Sequence, residues 1–254
     1  MAVYTKIGLD EINLIEKNFS IGKILNYSGI KKGIENTNYL IKSKKRKFIL
    51  TIFEKRVNSR DLPFFMKLMS GLAKSKIKCP KPVENKKGKY LFKLKGKNAC
   101  LVTFLEGKDK NNLNSKECFV IGKNIARLHN SSKKLRIFRK NSLSVNSWGP
   151  LLKKISRKIN KKFKDLTDNM KTDYIQIKKL WPKKLPTGII HGDLFIDNIF
   201  FFKGSFYGFI DFYFSSNDYY AYDLATSVNA LCFNKQNNKF IMNKNKSSNL
   251  LKGY

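Results

Sequence analysis

Over 254 residues, 52 lysines and arginines outnumber 18 aspartates and glutamates, for a formal net charge of +34, and 42% of the chain is hydrophobic. That suffices for one large domain or two lobes around a cleft, and no apolar run approaches the roughly 18–20 residues a membrane-spanning helix needs. The charge would suit a nucleic acid or an anionic membrane, but the lysines fall in short scattered runs (44–47, 86–87, 133–134, 161–162, 183–184), which reads as compositional drift and predicts neither partner. Residues 1–6 lack a basic segment followed by an apolar one, so no secretory signal is expected. Cys79, Cys100, Cys118 and Cys232 form no C-x-x-C pair, which predicts reduced, packed thiols and a cytoplasmic setting.

In chain order, residues 21–27 and 39–42 read as strands around a glycine-containing turn, and 48–54 alternates well enough for a third. Phe65, Leu68, Met69 and Leu72 recur at helical spacing and predict a helix over 62–74, with Asp61 as its cap and Pro63 in its first turn. Cys79-Pro80-Lys81-Pro82 stops that helix, and strands follow at 90–94 and 99–104. The first hundred residues thus read as strands with one helix. Past Leu105-Glu106-Gly107 helices take over. One spans 115–130, capped by Ser115, with Ile121, Ile125 and Leu128 facing inward. One or two charged helices lie within 148–181, and another runs from about 219 to 232, followed by a weakly patterned tail at 234–254. The fold expected is α+β, with a β-rich, antiparallel N-terminal lobe over 1–105, a mainly helical C-terminal lobe over 106–254 and a cleft between them.

The chemistry concentrates in 189–211. An apolar strand runs into His191-Gly192-Asp193, Asn198 follows five residues after Asp193, and a second apolar run ends at Asp211. Phosphoryl transfer to an alcohol needs this set. One carboxylate orients the attacking hydroxyl and accepts its proton, while an amide oxygen and a second carboxylate hold a divalent cation against phosphate oxygens. The H-x-D-x-x-x-x-N pattern, followed by an Ile-Asp strand end, matches protein-kinase-like catalytic and metal loops. Several neighbours read more plainly. His129 is expected to pack, Asp223 to tie the catalytic loop by hydrogen bonds, Asp197 to be solvated and Phe200–Phe202 to fill core. Asp218 and Tyr213 could meet a substrate ammonium.

This block resembles the aminoglycoside phosphotransferases. With Gly33-Ile34-Glu35-Asn36-Thr37-Asn38, Asp61-Leu62-Pro63-Phe64-Phe65 and Ile210-Asp211-Phe212-Tyr213-Phe214, the chain from 1 to about 233 resembles the homoserine kinase family related to them and to choline kinases. The resemblance implies a protein-kinase-like two-lobed fold, ATP and Mg²⁺ as cofactors and homoserine as substrate. It makes Asp193 the base and Asn198 and Asp211 the metal ligands. Gly33, Asn36 and Thr37 belong to a loop over the phosphates, and the connector with Thr103 and Leu105 meets the adenine. An aminoglycoside- or choline-type phosphotransferase is the alternative, and a non-catalytic nucleic-acid binder a more distant one. Thr51 stands where related kinases carry a phosphate-holding cation, leaving Lys47, Lys55 or Arg56 for that task. Family members continue past 254 with further helices, so exposed apolar surface is expected on the C-terminal lobe.

Overall fold

The computed structural model describes residues 3–32, 35–156, 158–159 and 163–254, so Gly33 lies outside the described residues. Five antiparallel strands, β1 (Ile24–Gly29), β2 (Thr37–Ser43), β3 (Lys47–Ile52), β4 (Leu91–Leu94) and β5 (Lys97–Thr103), form one sheet in the order β1-β2-β3-β5-β4. Alternation decides which face each side chain covers. Tyr39, Ile41, Phe48, Leu50, Ile52 and Leu101 point to one face, where helix α1 (Leu9–Asn18) buries Ile12 and Ile15 against them. Cys100 and Val102 point to the other, beneath α2 (Leu62–Lys74).

Helix α1 is an addition to the predicted elements. Its apolar stripe is thin, since Leu9 and Leu14 are exposed, and its start is fixed by Glu11, whose carboxylate accepts the Gly8 amide at 2.7 Å. Helix α2 has the predicted bounds, but Asp61 makes no cap; its carboxylate instead meets Arg139 at 2.7 Å. The short 3₁₀ turn before it is capped by Asn58, which accepts from the Arg60 amide.

The second core cluster continues from α2 into the remainder of the chain. Helix α3 (Ser115–Ser132) buries Ile121, Ile125 and Leu128, and its cap is Asn114 rather than Ser115. Asn114 Oδ1 accepts the Glu117 amide and the Glu117 carboxylate accepts the Asn114 amide, both at 2.9 Å, a reciprocal capping box. The charged region forms two helices, α4 (Val145–Ser156) and α5 (Lys164–Leu180), joined edge to face by Trp148 and Trp181. Two short ladders follow, β6 (Thr187–Ile190) with β9 (Ser216–Tyr219) and β7 (Ile199–Phe202) with β8 (Ser205–Phe209), and then helix α6 (Tyr220–Leu231). Phe201 is buried as expected, but Phe202 is exposed.

The tail is more ordered than its composition suggests. Strands β10 (Phe233–Gln236) and β11 (Lys239–Met242) make a hairpin whose two linking residues, Asn237 and Asn238, both take positive φ, which asparagine tolerates better than most residues. Helix α7 (Lys244–Gly253) then crosses α3 with backbones almost touching. A Cβ at Gly122 would lie 2.0 Å from the Leu250 carbonyl oxygen, and one at Gly253 equally close to that of Phe119. Phe240, Ile241, Met242 and Leu251 are left exposed. Among the described residues no helix is long and apolar enough to cross a membrane, and all four cysteines are buried and unpaired.

Gly122→Ala must separate α3 from α7. It is expected to cost about 1–3 kcal/mol of stability, read as a lower urea midpoint at unchanged slope.

Candidate active site

Strand β6 delivers the chain into His191-Gly192-Asp193, and three donors fix that turn on one buried carboxylate. Asp223 Oδ2 accepts the His191 amide at 2.7 Å and His129 Nε2–H at 2.9 Å, while Oδ1 accepts the Gly192 amide at 2.8 Å. Gly192 has φ +81°, and a Cβ there would come within 2.8 Å of the Phe214 carbonyl oxygen, so glycine is required. His191 is fully buried, and burial lowers its pKa, keeping the ring neutral. Nε2–H donates to the Ile210 carbonyl at 2.9 Å and Nδ1 accepts the Asp193 amide at 3.3 Å. The imidazole thus cross-links the Asp193 loop to the strand end carrying Asp211. His129, packed as expected, stacks on Tyr220 at 4.5 Å and meets the Tyr254 hydroxyl at 3.0 Å through Nδ1.

Asp193, Asn198 and Asp211 come together at the mouth of this turn. Asn198 Nδ2 donates to both the backbone oxygen and the Oδ2 of Asp193, each at 2.8 Å. With its NH₂ so spent, Asn198 has its carbonyl oxygen left for a cation. The Ile210 amide donates to the Asn198 backbone oxygen at 3.0 Å, setting Asp211 beside it in a left-handed conformation (φ 60°, ψ 67°). Asp211 is open to solvent on one side and crowded by protein on the others. That desolvation, reinforced by the charge of Asp193, lifts its carboxyl to about 6. Burial likewise raises the pKa of Asp193, opposed by the Asn198 hydrogen bond and helped by Asp197, Glu35 and Asp223. Such crowding of negative charge fits a divalent cation. Among the described residues no three His, Cys, Asp or Glu side chains form a complete cage. Two protein ligands suit Mg²⁺, which keeps its other positions for phosphate and water.

Other predicted contacts are redistributed. Gly33 is not described, and Asn36 and Thr37 anchor the base of the loop rather than offer their side chains. Asn36 Oδ1 accepts the Glu54 amide at 3.3 Å. The Thr37 hydroxyl donates to Glu54 at 2.7 Å and accepts the Tyr4 and Thr5 amides. Thr51 gives its hydroxyl to Asn38 Oδ1 at 2.8 Å. Thr103 faces backward, its amide donating to the Lys81 carbonyl and its hydroxyl accepting the Lys81 amide. Leu105, half-buried in the connector, forms no backbone hydrogen bond among the described residues. Lys47 stands at the connector, 3.3 Å from Glu106 and over the Phe104 ring. Tyr213 is wedged edge-on between Phe53 and Phe65 with its hydroxyl toward the Cys100 thiol.

Two features escaped the sequence reading. Glu35, whose charge reaches both Asp193 and Asp211, is held at 2.5 Å by Arg56, which makes Arg56 the cation drawn toward the acidic cluster. The Arg139–Asp61 pair was hidden because Asp61 also fits a helix cap. A scarce acid in a chain so rich in lysine and arginine was the available signal.

Residues 26–241 match the phosphotransferase enzyme family. A homoserine kinase of Methylorubrum populi is 39% identical over 254 residues, covering 100% of this chain and 78% of that protein. One of Agrobacterium fabrum is 41% identical over the same shares. Among solved structures, an amicoumacin kinase in complex with AMP-PNP, Ca²⁺ and amicoumacin superposes with a TM-score of 0.71 at 16% identity, over 89% of this chain and 69% of its own. A spectinomycin phosphotransferase in complex with ADP and spectinomycin gives 0.64 at 17%, over 87% and 73%. These two likenesses bear out the kinase-like fold. The chain belongs to the phosphotransferase enzyme family, on the branch that holds the homoserine kinases.

Proposed function

We propose that this chain transfers the γ-phosphoryl group of ATP to the side-chain hydroxyl of L-homoserine, giving ADP and O-phospho-L-homoserine, a step of threonine biosynthesis. Identity of about 40% to homoserine kinases along the entire chain carries this reading. In it, residues 1–105 bind the nucleotide, 106–254 carry out catalysis, and the work is done in the cytoplasm, where ATP is at hand.

Asp193 receives the proton of the attacking hydroxyl. Its Oδ2 is held by Asn198, which fixes one oxygen and leaves the other to face the substrate. Asn198 Oδ1 and Asp211 hold Mg²⁺, which when bound draws off the charge developing on the transferred phosphoryl group. The Leu105 amide serves the adenine edge. Thr103, with amide and hydroxyl committed to Lys81, serves only to brace the connector. Backbone amides of the 33–37 loop meet the phosphates, and Arg56 exchanges Glu35 for a phosphate oxygen, supplying the cation that Thr51 does not.

Asp193→Ala should lower kcat by at least about a hundredfold with ATP affinity near that of the parent, while Asp211→Ala should weaken Mg-ATP binding as well. Parental kinetics in both variants would remove these roles. A coupled ADP-release assay over homoserine, choline, aminoglycosides and sugars tests the substrate. Turnover of another alcohol, with none of homoserine, would transfer the chain to the aminoglycoside- or choline-type alternative.

Asp211 also predicts a pH dependence. Its folded pKa of about 6 lies above the unfolded carboxylate value, so ionisation disfavours the native state. That penalty is complete above pH 6 and fades as the pH falls toward 4. Without divalent metal, Asp211→Asn should therefore melt higher than the parent at pH 8, and the gap should close toward pH 4. A gap that widens on acidification would contradict the electrostatic account.

A further inference from the structure

Next to the catalytic turn, three separate chain segments meet in a polar cluster that the phosphoryl-transfer residues do not use. Arg139, in the segment between α3 and α4, directs Nε to Asp61 Oδ2 at 2.7 Å and Nη1 to the Ser215 carbonyl at 3.0 Å, with its guanidinium 5.1 Å from the Phe65 ring centre. Its backbone is clamped to Asn217, the amide donating to Asn217 Oδ1 at 2.9 Å and the carbonyl accepting the Asn217 amide at 2.7 Å. Arg139 is only 14% exposed, whereas every other lysine or arginine in an ion pair among the described residues is at least 40% exposed. A guanidinium has five N–H donors, and two are accounted for here, leaving three for a planar acceptor such as a carboxylate.

The complementary group stands one residue past Asn217. Asp218 accepts Asn141 Nδ2 at 2.7 Å on Oδ2 and the Tyr219 amide at 2.7 Å on Oδ1. Among the described residues it forms no ion pair, in a chain where 52 basic residues compete for 18 acids. An ionised carboxylate accepts about four hydrogen bonds, so two positions remain.

Both groups are tied to the strand that delivers the base. Asp218 lies opposite Gly188, and Ser216 opposite Ile190, in the β6–β9 ladder that runs into His191. Ser215, whose carbonyl holds Arg139, donates its own hydroxyl to the His191 carbonyl at 3.1 Å. The half-buried Tyr222 phenol, raised in pKa first by burial, senses the charges of both Asp218 and Asp193.

We infer that Arg139 and Asp218 are the specificity residues for an α-amino acid, the guanidinium taking the substrate's carboxylate and Asp218 its ammonium. Asp61 and Asn141 hold the two side chains in position. The inference rests on the reading of homoserine as substrate and adds which residues distinguish it from other alcohols. No bond is made or broken at this subsite. Its effect is to hold a small zwitterion with the hydroxyl free to reach Asp193.

The test is steady-state kinetics of the full chain and of Arg139→Lys and Asp218→Asn, with melting midpoints recorded alongside. 4-Hydroxybutanoate, which lacks the ammonium, and 3-aminopropan-1-ol, which lacks the carboxylate, serve as competitive inhibitors. Each variant should raise KM for homoserine by about tenfold or more, with KM for ATP within about twofold and a smaller change in kcat. Asp218→Asn should leave inhibition by 4-hydroxybutanoate near parental, and Arg139→Lys should leave that by 3-aminopropan-1-ol near parental. Unchanged KM for homoserine, or equal weakening of homoserine, ATP and both inhibitors, would overturn the assignment and return the cluster to a structural clip. If Arg139→Lys fails to fold, the near-isosteric Asp218→Asn decides alone. Absence of homoserine turnover in the parent chain is a different result: it overturns the proposed function, and this inference with it.

Discussion

The His191–Asp193 turn depends on one buried carboxylate. Asp223 is inaccessible to solvent, and burying a charge is costly unless hydrogen bonds replace its water. Three do so here: two backbone amides of the turn and one imidazole N–H. Each donor would leave the charge partly unsatisfied if it moved away, so the positions of His191 and Gly192 are held by the cost of departure as much as by the bonds themselves. That restraint maintains the left-handed backbone at Gly192 and keeps the Asp193 carboxylate aimed. Because His129 belongs to α3 and bonds Tyr254 beyond α7, the same carboxylate connects α3, α6 and the end of the chain to the loop.

Charge is distributed against the composition. Acids are the scarce residues, yet the charges of Asp197 and Glu35 lie near enough to raise the pKa of both Asp193 and Asp211, and among the described residues Arg56 is the one basic side chain paired with this group. The large surplus of lysine is spread along the chain and leaves this group of acids with a single described ion pair. The ion pairs Lys32–Asp109, Lys47–Glu106 and Arg56–Glu35 each have a basic partner at least 47% exposed. Such pairs contribute roughly 0–1 kcal/mol.

The sequence made legible whatever rests on local pattern. Alternation located the five strands of the sheet, period-3.6 spacing located α2 and α3, and the order of His191, Asp193, Asn198 and Asp211 foretold their meeting. What it hid was decided by tertiary choice between two local options. Asp61 is an equally good helix cap and ion-pair partner, and only the approach of Arg139 from 78 residues away selects the second. Thr37 and Asn36 carry donors that suit phosphate, but Glu54 at the end of β3 consumes the hydroxyl of one and its amide occupies the carbonyl of the other. Helix α7 is nearly all polar, and its place is set by two glycines on separate helices, which no amphipathic pattern reveals.

The divergence of Asp61 from its expected task bears on how such a fold changes substrates. An N-cap is worth about 1 kcal/mol to a helix, and here Asn58 caps the 3₁₀ turn leading into α2, so Asp61 is released without exposing the helix start. The released carboxylate fixes Arg139, which reaches the segment just after Asp211 through Ser215. Selectivity can then reside in the 137–141 and 215–218 segments, supported by α2, without any change in the turn held by Asp223. The two parts face different constraints. The 191–193 turn is held by backbone amides on a buried charge, whereas the neighbouring segments are held by side-chain pairs that can be exchanged.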